Sequence, residues 1–305
     1  MARHSADEHK QLSPHYSPHT ISRVSAGASP GRNDDCVSYY IHNNDTVDLW
    51  IIDGASAVTT RSYIDHKRGD PAWFVRRVNN YFNRNTCLMK TPGEVVCLAA
   101  DAVRKRVEKH IGFRTMPLYA RPIAALTWVR ISRRKTSWHL ELYALGDCKS
   151  LLQCGTEVHN LDPYINSFEE RLQRKVRESR ERVTGDEHKQ GQLIASMLRR
   201  RRESQNIARH PSVLCLDRQG AFAARQRHYI AACKPLRVLL MTDGFYRLVD
   251  KYHKYSNRQL LDVCVVQGLK GALRELRTCE AESTSARSTL LKKADDASAV
   301  LCEIR

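Results

Sequence analysis

Short apolar runs, each bounded by Gly, Asp or Pro, recur along the chain. They are rich in β-branched and aromatic residues, a composition that is typical of strands within a sheet. We therefore predict strands in six segments: 47–53, 122–131, 139–154, 212–216, 238–243 and 297–304.

Apolar residues at helical spacing fill much of the chain between these runs. Asp70 and Pro71 are typical of a helix start, and Thr91 with Glu94 forms a capping-box pattern at a second one. The predicted helices cover residues 71–83, 91–111, 166–183, 187–204 and 257–277.

The order of these elements restricts the fold class. Strands cluster around helical pairs and do not alternate with helices one for one, which argues against a doubly wound parallel sheet. Sheets that pack on each other, with helices on the outside, fit the order better.

Residues 1–20 are polar and rich in His, Ser and Pro, and we predict a disordered leader there. They contain no apolar core of the kind that a secretory signal needs. No run approaches the roughly 18 apolar residues of a membrane helix. We therefore expect a cytoplasmic protein with no membrane partner.

The ten cysteines are scattered without a CxxC pair, so we expect free thiols and no disulfide framework.

The formal net charge of +17 is unusual, and residues 171–209 carry much of the basic excess. Glutamates are interleaved with the first part of this segment, a pattern that is typical of a solvated helix with i to i+4 ion pairs. The Arg199–Arg202 run is less balanced, because only Glu203 lies beside it. Affinity for a polyanion such as nucleic acid is therefore one functional hypothesis.

Aspartates at the ends of apolar strands suggest a second kind of chemistry. Asp53 and Asp243 each end such a run and precede a glycine. Two Asp-Asp pairs accompany them, at 34–35 and at 295–296. Taken alone, Asp-Gly is a common turn sequence. Carboxylates that converge from distant strand ends can instead hold two Mg²⁺ or Mn²⁺ ions and support phosphate hydrolysis.

Five motifs occur together with these aspartates, in the order GRNDD at 31–35, IIDGAS at 51–56, LYALGDCKSLL at 142–152, LLMTDGFYRLVD at 239–250 and ADDASAVLCEI at 294–304. In that order they resemble the motifs of the metal-dependent protein phosphatases of type 2C, over residues 21–305. The chain looks like a divergent member of the bacterial type.

The resemblance implies an α+β fold, a four-layer α-β-β-α sandwich in which helices flank two central antiparallel sheets. It also implies two divalent metals, Mn²⁺ or Mg²⁺, and hydrolysis of phosphoserine or phosphothreonine in a phosphorylated protein substrate, with a kinase as the counterpart. The segment 160–209 would then be a basic helical flap near the active site.

The resemblance also assigns site residues. Asp53 would bridge the metals, Gly54 would offer its carbonyl oxygen, and Asp147 would stand where some members hold a weaker third metal. Asp35 matches the acid that holds a metal-bound water. The remaining metal ligands would be Asp34, Asp243 and Asp295.

Three positions depart from the family pattern. Ala55 stands where many members have a histidine proposed as general acid, Asp34 replaces a glutamate, and Asp296 stands where Asn is usual. The proton for the leaving group would then come from water or from another residue.

The usual phosphate-binding arginine is also missing, because Pro30 takes its place. Arg32, or alternatively Arg23, would supply the charge, and Arg32 is the favoured candidate. These departures leave open a degenerate phosphatase fold that works as a binding module without turnover.

Overall fold

The computed structural model describes residues 18–29, 31–168, 171, 174, 175, 178, 187–207, 213–282 and 294–304. Two five-stranded antiparallel sheets pack face to face within this part of the chain, and helices cover their outer faces. The predicted α+β, four-layer α-β-β-α sandwich is therefore confirmed.

Ten strands make up the two sheets in the described residues. The first sheet has the order β1-β10-β9-β6-β7 and the second β2-β3-β4-β5-β8. Their bounds are β1 His19–Ala26, β2 Asp35–Asn43, β3 Thr46–Gly54, β4 Ala124–Arg134, β5 Ser137–Leu145, β6 Lys149–Cys154, β7 Glu157–Asn160, β8 Arg225–Ala231, β9 Leu236–Met241 and β10 Ala297–Ile304.

The α-helices with described bounds are α1 Asp70–Asn85, α2 Pro92–Val107, α3 Ile111–Arg114, α4 Glu187–Asn206, α5 Asp243–Asp250, α6 Asn257–Val266 and α7 Gly268–Glu282. Two 3-10 helices lie at Leu118–Ala120 and Arg218–Ala223. The predicted start of α2 is confirmed, since Thr91 and Glu94 form a reciprocal capping box.

Three apolar clusters hold the four layers together. The first lies between the sheets and contains buried residues such as Leu49, Val129 and Val300. The second joins the second sheet to α1 and α2, and the third joins the first sheet to α5, α6 and α7. Burial of these faces is the main stabilising term of the fold.

The strand predictions fail in an instructive way. Five of the six apolar runs contain the six central strands, but β1, β2, β7 and β8 were not predicted, and these are the four sheet edges. Edge strands carry polar and charged residues, so they lack a continuous apolar run. The predicted leader at residues 1–20 is also too long, because β1 begins at His19. Residues 1–17 lie outside the described residues.

Two predicted strands need correction. The run 139–154 is two strands in different sheets, separated by a turn at Gly146, whose φ is 77°. In the run 212–216, residue 212 is outside the described part, and Leu214 makes a single antiparallel bridge to Ala124. Residues 213–216 are apolar because they are buried, without forming a strand.

The helix predictions need corrections of the same kind. The predicted helix 257–277 is two helices, and Gly268 divides them with a φ of 73°. The predicted helix 91–111 corresponds to α2, which is shorter and ends at Val107. Much of 166–183 lies outside the described residues.

The expectation of free cysteines is wrong for Cys154 and Cys233, which form a disulfide. Their 79-residue separation hides the pairing in the sequence, but β6 pairs with β9 so that Cys154 lies opposite Leu236. The Cα atoms are 5.4 Å apart, within the range that a disulfide spans. Eight cysteines are free. No helix among the described residues is long and apolar enough to cross a membrane, and the cytoplasmic location stays a prediction.

One buried ionic cluster lies within the second sheet and supports its outer face. Asp48 is fully buried and accepts hydrogen bonds from Arg130, Trp128 and His42 over 2.7–3.0 Å. Burial raises the pKa of Asp48, but these hydrogen bonds more than offset the rise, so its pKa lies below the usual value. The cluster therefore depends on an ionised Asp48.

We predict that Asp48→Asn lowers the free energy of unfolding by about 3–5 kcal/mol, because it leaves the Arg130 cation buried without its counter-charge. Urea denaturation measures the loss. The exposed Asp262 on α6 offers a matched control, and an equal effect of Asp262→Asn would contradict the prediction. The contribution of Asp48 should also disappear as pH falls through its depressed pKa.

Candidate functional site

An acidic cleft lies where the two sheets meet at one edge. It has a volume of about 480 Å³, and its walls carry Asp53, Asp147, Asp243, Asp295 and Asp296. These residues come from the end of β3, the turn after β5, the start of α5 and the segment before β10. The fold therefore gathers acids from distant parts of the sequence.

Asp35 and Asp53 form the part of the site that belongs to the second sheet. They face each other as a register pair at the ends of β2 and β3. Asp35 is 7% exposed and accepts a hydrogen bond of 3.1 Å from the Thr242 hydroxyl. Its other carboxylate oxygen, Oδ1, is buried without a hydrogen-bond partner among the described residues. An oxygen in that condition is a candidate ligand atom.

Asp243 and Asp295 form the part that belongs to the first sheet. Asp243 is the first residue of α5, directly after β9. The Asp295 carboxylate accepts a hydrogen bond of 2.6 Å from Arg247, one turn further along the same helix. Arg277 donates to the Asp295 carbonyl oxygen and to Glu280. Asp295 is thus held in place by an ionic network.

The glycines of both Asp-Gly pairs are required by close packing. A Cβ atom at Gly54 would collide with the backbone of Asp34, and one at Gly244 would collide with the backbone of Asp296. Each glycine therefore lets a second acidic segment approach the first. The Asp-Gly pairs are not hairpin turns here: one ends a strand and the other begins a helix.

Asp296 has a structural role that the sequence did not reveal. Its two carboxylate oxygens accept hydrogen bonds of 2.7 Å from the backbone N–H groups of Ala28 and Asp34. An asparagine would offer one acceptor where Asp296 offers two. The departure from the family pattern therefore fastens the N-terminal segment to the cleft.

The electrostatics of the cleft are those of crowded like charges. Burial raises the pKa of Asp53 well above its usual value, and the carboxylates of Asp35, Asp243 and Asp147 raise it further. The Asp243 carboxyl also lies within hydrogen-bonding reach of Asp53, and this contact raises the pKa of Asp53 further. For Asp35, burial and then the charges of Asp296 and Asp243 raise the pKa, and hydrogen bonding with Ser298 and Thr242 offsets this rise only in part.

The acidic side chains of the cleft lie near one another but are not arranged as a complete set of metal ligands. Within the described residues, no group of three or more His, Cys, Asp or Glu side chains is arranged so that it could hold a metal ion. Contacts explain this, because Asp295 pairs with Arg247 and Asp147 accepts a 2.6 Å hydrogen bond from Asn166.

The remaining predicted site residues lie at different depths. Asp34 is buried beside the cleft, and its carbonyl oxygen accepts a 3.0 Å hydrogen bond from Gly54. Ala55 lines the cleft and carries no titratable group. Pro30 lies outside the described residues.

The two arginines predicted to bind phosphate lie away from the acids. Arg32 lines a separate shallow depression together with Arg76. A tight turn places it there, because Gly31 has a φ of 77° and the Arg32 N–H donates to the Ser29 carbonyl. Arg23 donates to the Val37 carbonyl and lies over the Tyr39 ring.

Other arginines, which sequence reasoning did not assign to the site, line the cleft instead. They are Arg247 on α5 and two members of the basic run on α4, Arg201 and Arg202. One face of α4 closes this side of the cleft, and it consists of Ile194, Leu198, Arg201, Arg202 and Gln205. Their i, i+4, i+7, i+8, i+11 spacing is the signal that could have identified this face.

Comparisons with known proteins show the fold. No family model matches the chain, and no curated protein matches it in sequence. The Mycobacterium tuberculosis serine/threonine phosphatase PstP/Ppp superposes with a TM-score of 0.50 at 13% identity, covering 94% of this chain and 99% of that one. Serine/threonine phosphatase Stp1 from Staphylococcus aureus gives 0.50 at 12% identity, covering 93% and 94%.

A further structure, described as a bacterial serine phosphatase, gives a TM-score of 0.50 at 13% identity and covers 93% of this chain and 97% of that one. Identities this low show the fold alone. The chain therefore has the fold of the bacterial type 2C-like serine/threonine phosphatases, as the sequence motifs predicted.

We predict that Gly244→Ala lowers the free energy of unfolding by about 1–3 kcal/mol, because the added Cβ forces the Asp296 backbone away from α5. Thermal or urea denaturation measures the change. Gly191 on α4 is the matched control, since a Cβ there meets nothing within 4 Å. Gly191→Ala should leave stability unchanged or raise it by about 0.5–1 kcal/mol. A harmless Gly244→Ala would show that the packing is looser than described.

Proposed function

We propose that this protein is a metal-dependent phosphatase that hydrolyses phosphoserine and phosphothreonine in phosphorylated proteins. The observation that carries the proposal is the meeting of carboxylates from four distant segments in one cleft. Like charges that are buried together are costly, and a bound divalent cation would offset that cost. The phosphatase fold of the chain supports the same conclusion.

The donor set fits divalent cations. All candidate ligands are hard oxygen donors, which suit Mg²⁺ and Mn²⁺. Asp35 Oδ1 is buried and unpartnered within the described residues. Asp53 and Asp243 approach each other closely enough to raise the pKa of Asp53, and a cation held by these two groups would relieve their repulsion. The proposed ligand set is Asp34, Asp35, Asp53, the Gly54 carbonyl oxygen, Asp243 and Asp295, with Asp147 at a weaker third position.

Two divalent cations at such a site would supply a bound water of lowered pKa and would offset charge on the phosphoryl oxygens. The chain's own residues orient the groups around them. Asp53 stands between the acids of the two sheets and is the proposed bridging ligand. Thr242 holds the Asp35 carboxylate through Oδ2, which leaves Oδ1 as the atom that would contact a metal-bound water. Ala55 offers no general acid, and the leaving-group proton would come from water or from another residue.

A second candidate function has one observation in its favour. The Asp295 carboxylate, a proposed ligand, already forms an ion pair with Arg247 within the protein. A degenerate phosphatase fold that binds partners without turnover would have this arrangement. Titration of the purified protein with Mn²⁺ in a hydrolysis assay separates the two: no turnover at any metal concentration favours the binding module.

A role in nucleic-acid binding receives less support. The basic run that suggested it does not form one exposed stripe, because Arg199 and Arg200 are exposed while Arg201 and Arg202 line the cleft. We therefore propose that Arg201 and Arg202 act at the phosphatase site, while two exposed arginines alone give little support to a nucleic-acid surface.

We predict that Asp53→Asn and Asp243→Asn each lower the Mn²⁺-dependent kcat/KM for an aryl phosphate by at least about 100-fold, because each removes a metal ligand. The exposed Asp262 provides the control, since Asp262→Asn removes the same charge outside the cleft. Wild-type rates in both cleft variants, with normal metal dependence, would remove the basis of the proposal.

We also predict that Asp53→Asn raises the stability of the metal-free protein but reduces the stabilisation that Mn²⁺ gives. Because the pKa of Asp53 is raised, its ionised form destabilises the metal-free fold, and stability should fall as pH rises through that pKa. Asp53→Asn should therefore unfold at a higher temperature than the parent in EDTA at pH 7.5. Mn²⁺ at 100 times its Kd should stabilise the parent by about 2.7 kcal/mol and the variant much less. Equal stabilisation of both proteins would exclude Asp53 as a ligand.

A further inference from the structure

Arg202 is buried, and no acidic side chain among the described residues forms an ion pair with it. It is 7% exposed, and the hydrogen bond that its guanidinium makes within the described residues is a 3.0 Å bond from Nη2 to the Ser56 carbonyl oxygen. No carboxylate of the described residues pairs with it, and burial lowers its pKa to about 10. The group therefore remains charged at neutral pH. A buried, unpaired cation is costly unless a ligand supplies the opposite charge.

The position of Arg202 indicates where such a ligand would bind. Arg202 lines the same cleft as Asp53, Asp147 and Asp243. Ser56 lies three residues after Asp53, so their Cα atoms are at most about 11 Å apart. The Arg202 guanidinium thus lies on the wall of the acidic cleft, in contact with the Ser56 carbonyl oxygen. It forms no ion pair with the aspartates of the cleft that the structure describes.

The helix that carries Arg202 is fixed at its C-terminal end. Asn206 donates hydrogen bonds of 3.0 and 3.1 Å to the carbonyl oxygens of Leu118 and Arg121. Arg201 lies next to Arg202 and stacks over the Phe168 ring, with its Cζ 5.1 Å from the ring centre. A substrate would therefore meet a guanidinium whose position is set in advance, which lowers the entropy cost of binding.

We propose that Arg202 binds the phosphate group of the substrate from the flap side of the cleft, in place of the N-terminal arginine that the sequence lacks. The proposal rests on the proposed phosphatase function. A guanidinium binds a phosphate dianion through two parallel hydrogen bonds. Arg32 stands in a separate depression and Arg247 is paired with Asp295. Arg201 also lines the cleft but lies over the Phe168 ring, whereas Arg202 is buried and makes no ion pair with an acid among the described residues.

The test compares Arg202→Gln with the exposed Arg200→Gln on the same helix, which changes the net charge equally. Inorganic phosphate is the probe, and its affinity is measured by calorimetry in the presence of Mn²⁺ and as a competitive inhibitor of hydrolysis. Arg202→Gln should weaken phosphate binding by about 10- to 150-fold, the effect of losing a charged hydrogen bond. Arg200→Gln should change it less than about twofold, and Arg202→Lys should restore part of the affinity.

A structural role alone predicts a different pattern. If Arg202 only holds the Ser56 loop, Arg202→Gln lowers the melting temperature while phosphate affinity stays at the parent value, and the proposal is overturned. Should Arg202→Gln fail to fold, Arg202→Lys carries the test: the loss of the forked contact should weaken phosphate binding by at least about threefold, and unchanged affinity overturns the proposal.

Failure of the proposed function gives a separate result. A parent protein that binds phosphate but hydrolyses no phosphoester would contradict the phosphatase proposal, while its calorimetric comparison with Arg202→Gln would still decide the role of Arg202. A parent that hydrolyses phosphoesters, with phosphate affinity unaffected by Arg202→Gln, would contradict the inference and leave the phosphatase proposal in place.

Discussion

The repulsion among buried carboxylates is the constraint on which the site depends. Burial raises the pKa of Asp53, and three nearby carboxylates raise it further: those of Asp35, Asp243 and Asp147. Water would screen such charges, but burial removes it, so the fold must hold the acids in place by contacts elsewhere. In the proposed phosphatase the same repulsion would favour cation binding, because a bound divalent ion would offset the negative charges.

The contacts that oppose this repulsion lie just outside the cleft. Two glycines let acidic segments pack backbone against backbone, and Asp296 fastens the N-terminal segment through two backbone hydrogen bonds. The apolar cluster between the sheets holds their edges together beneath the acids. Position in the fold therefore decides what each aspartate does: Asp296 holds the N-terminal segment through backbone hydrogen bonds, while its neighbour Asp295 forms an ion pair with Arg247.

The parts of the fold that could be predicted are those whose signal is local. Central strands such as β3 and β10 are continuous apolar runs, and the candidate aspartates lie at the ends of these runs in the sequence. The edge strands β1, β2, β7 and β8 depend on pairing with a neighbour, which no local pattern records. The disulfide between Cys154 and Cys233 and the bend at Gly268 depend on tertiary contacts and backbone conformation in the same way. The location of Arg32 in a separate depression, next to the turn at Gly31, likewise depends on backbone conformation.

The basic run on α4 shows how helical geometry divides one sequence feature into two surfaces. Four consecutive arginines cover 300° of the helix, at about 100° per residue, so they cannot all face the same way. Arg199 and Arg200 remain exposed, and Arg199 lies over the Tyr119 ring. Arg201 and Arg202 turn toward the acids. A feature that reads as one polyanion-binding patch in the sequence thus separates, in three dimensions, into an outer basic surface and an inner pair of cations that faces the metal-ligand candidates.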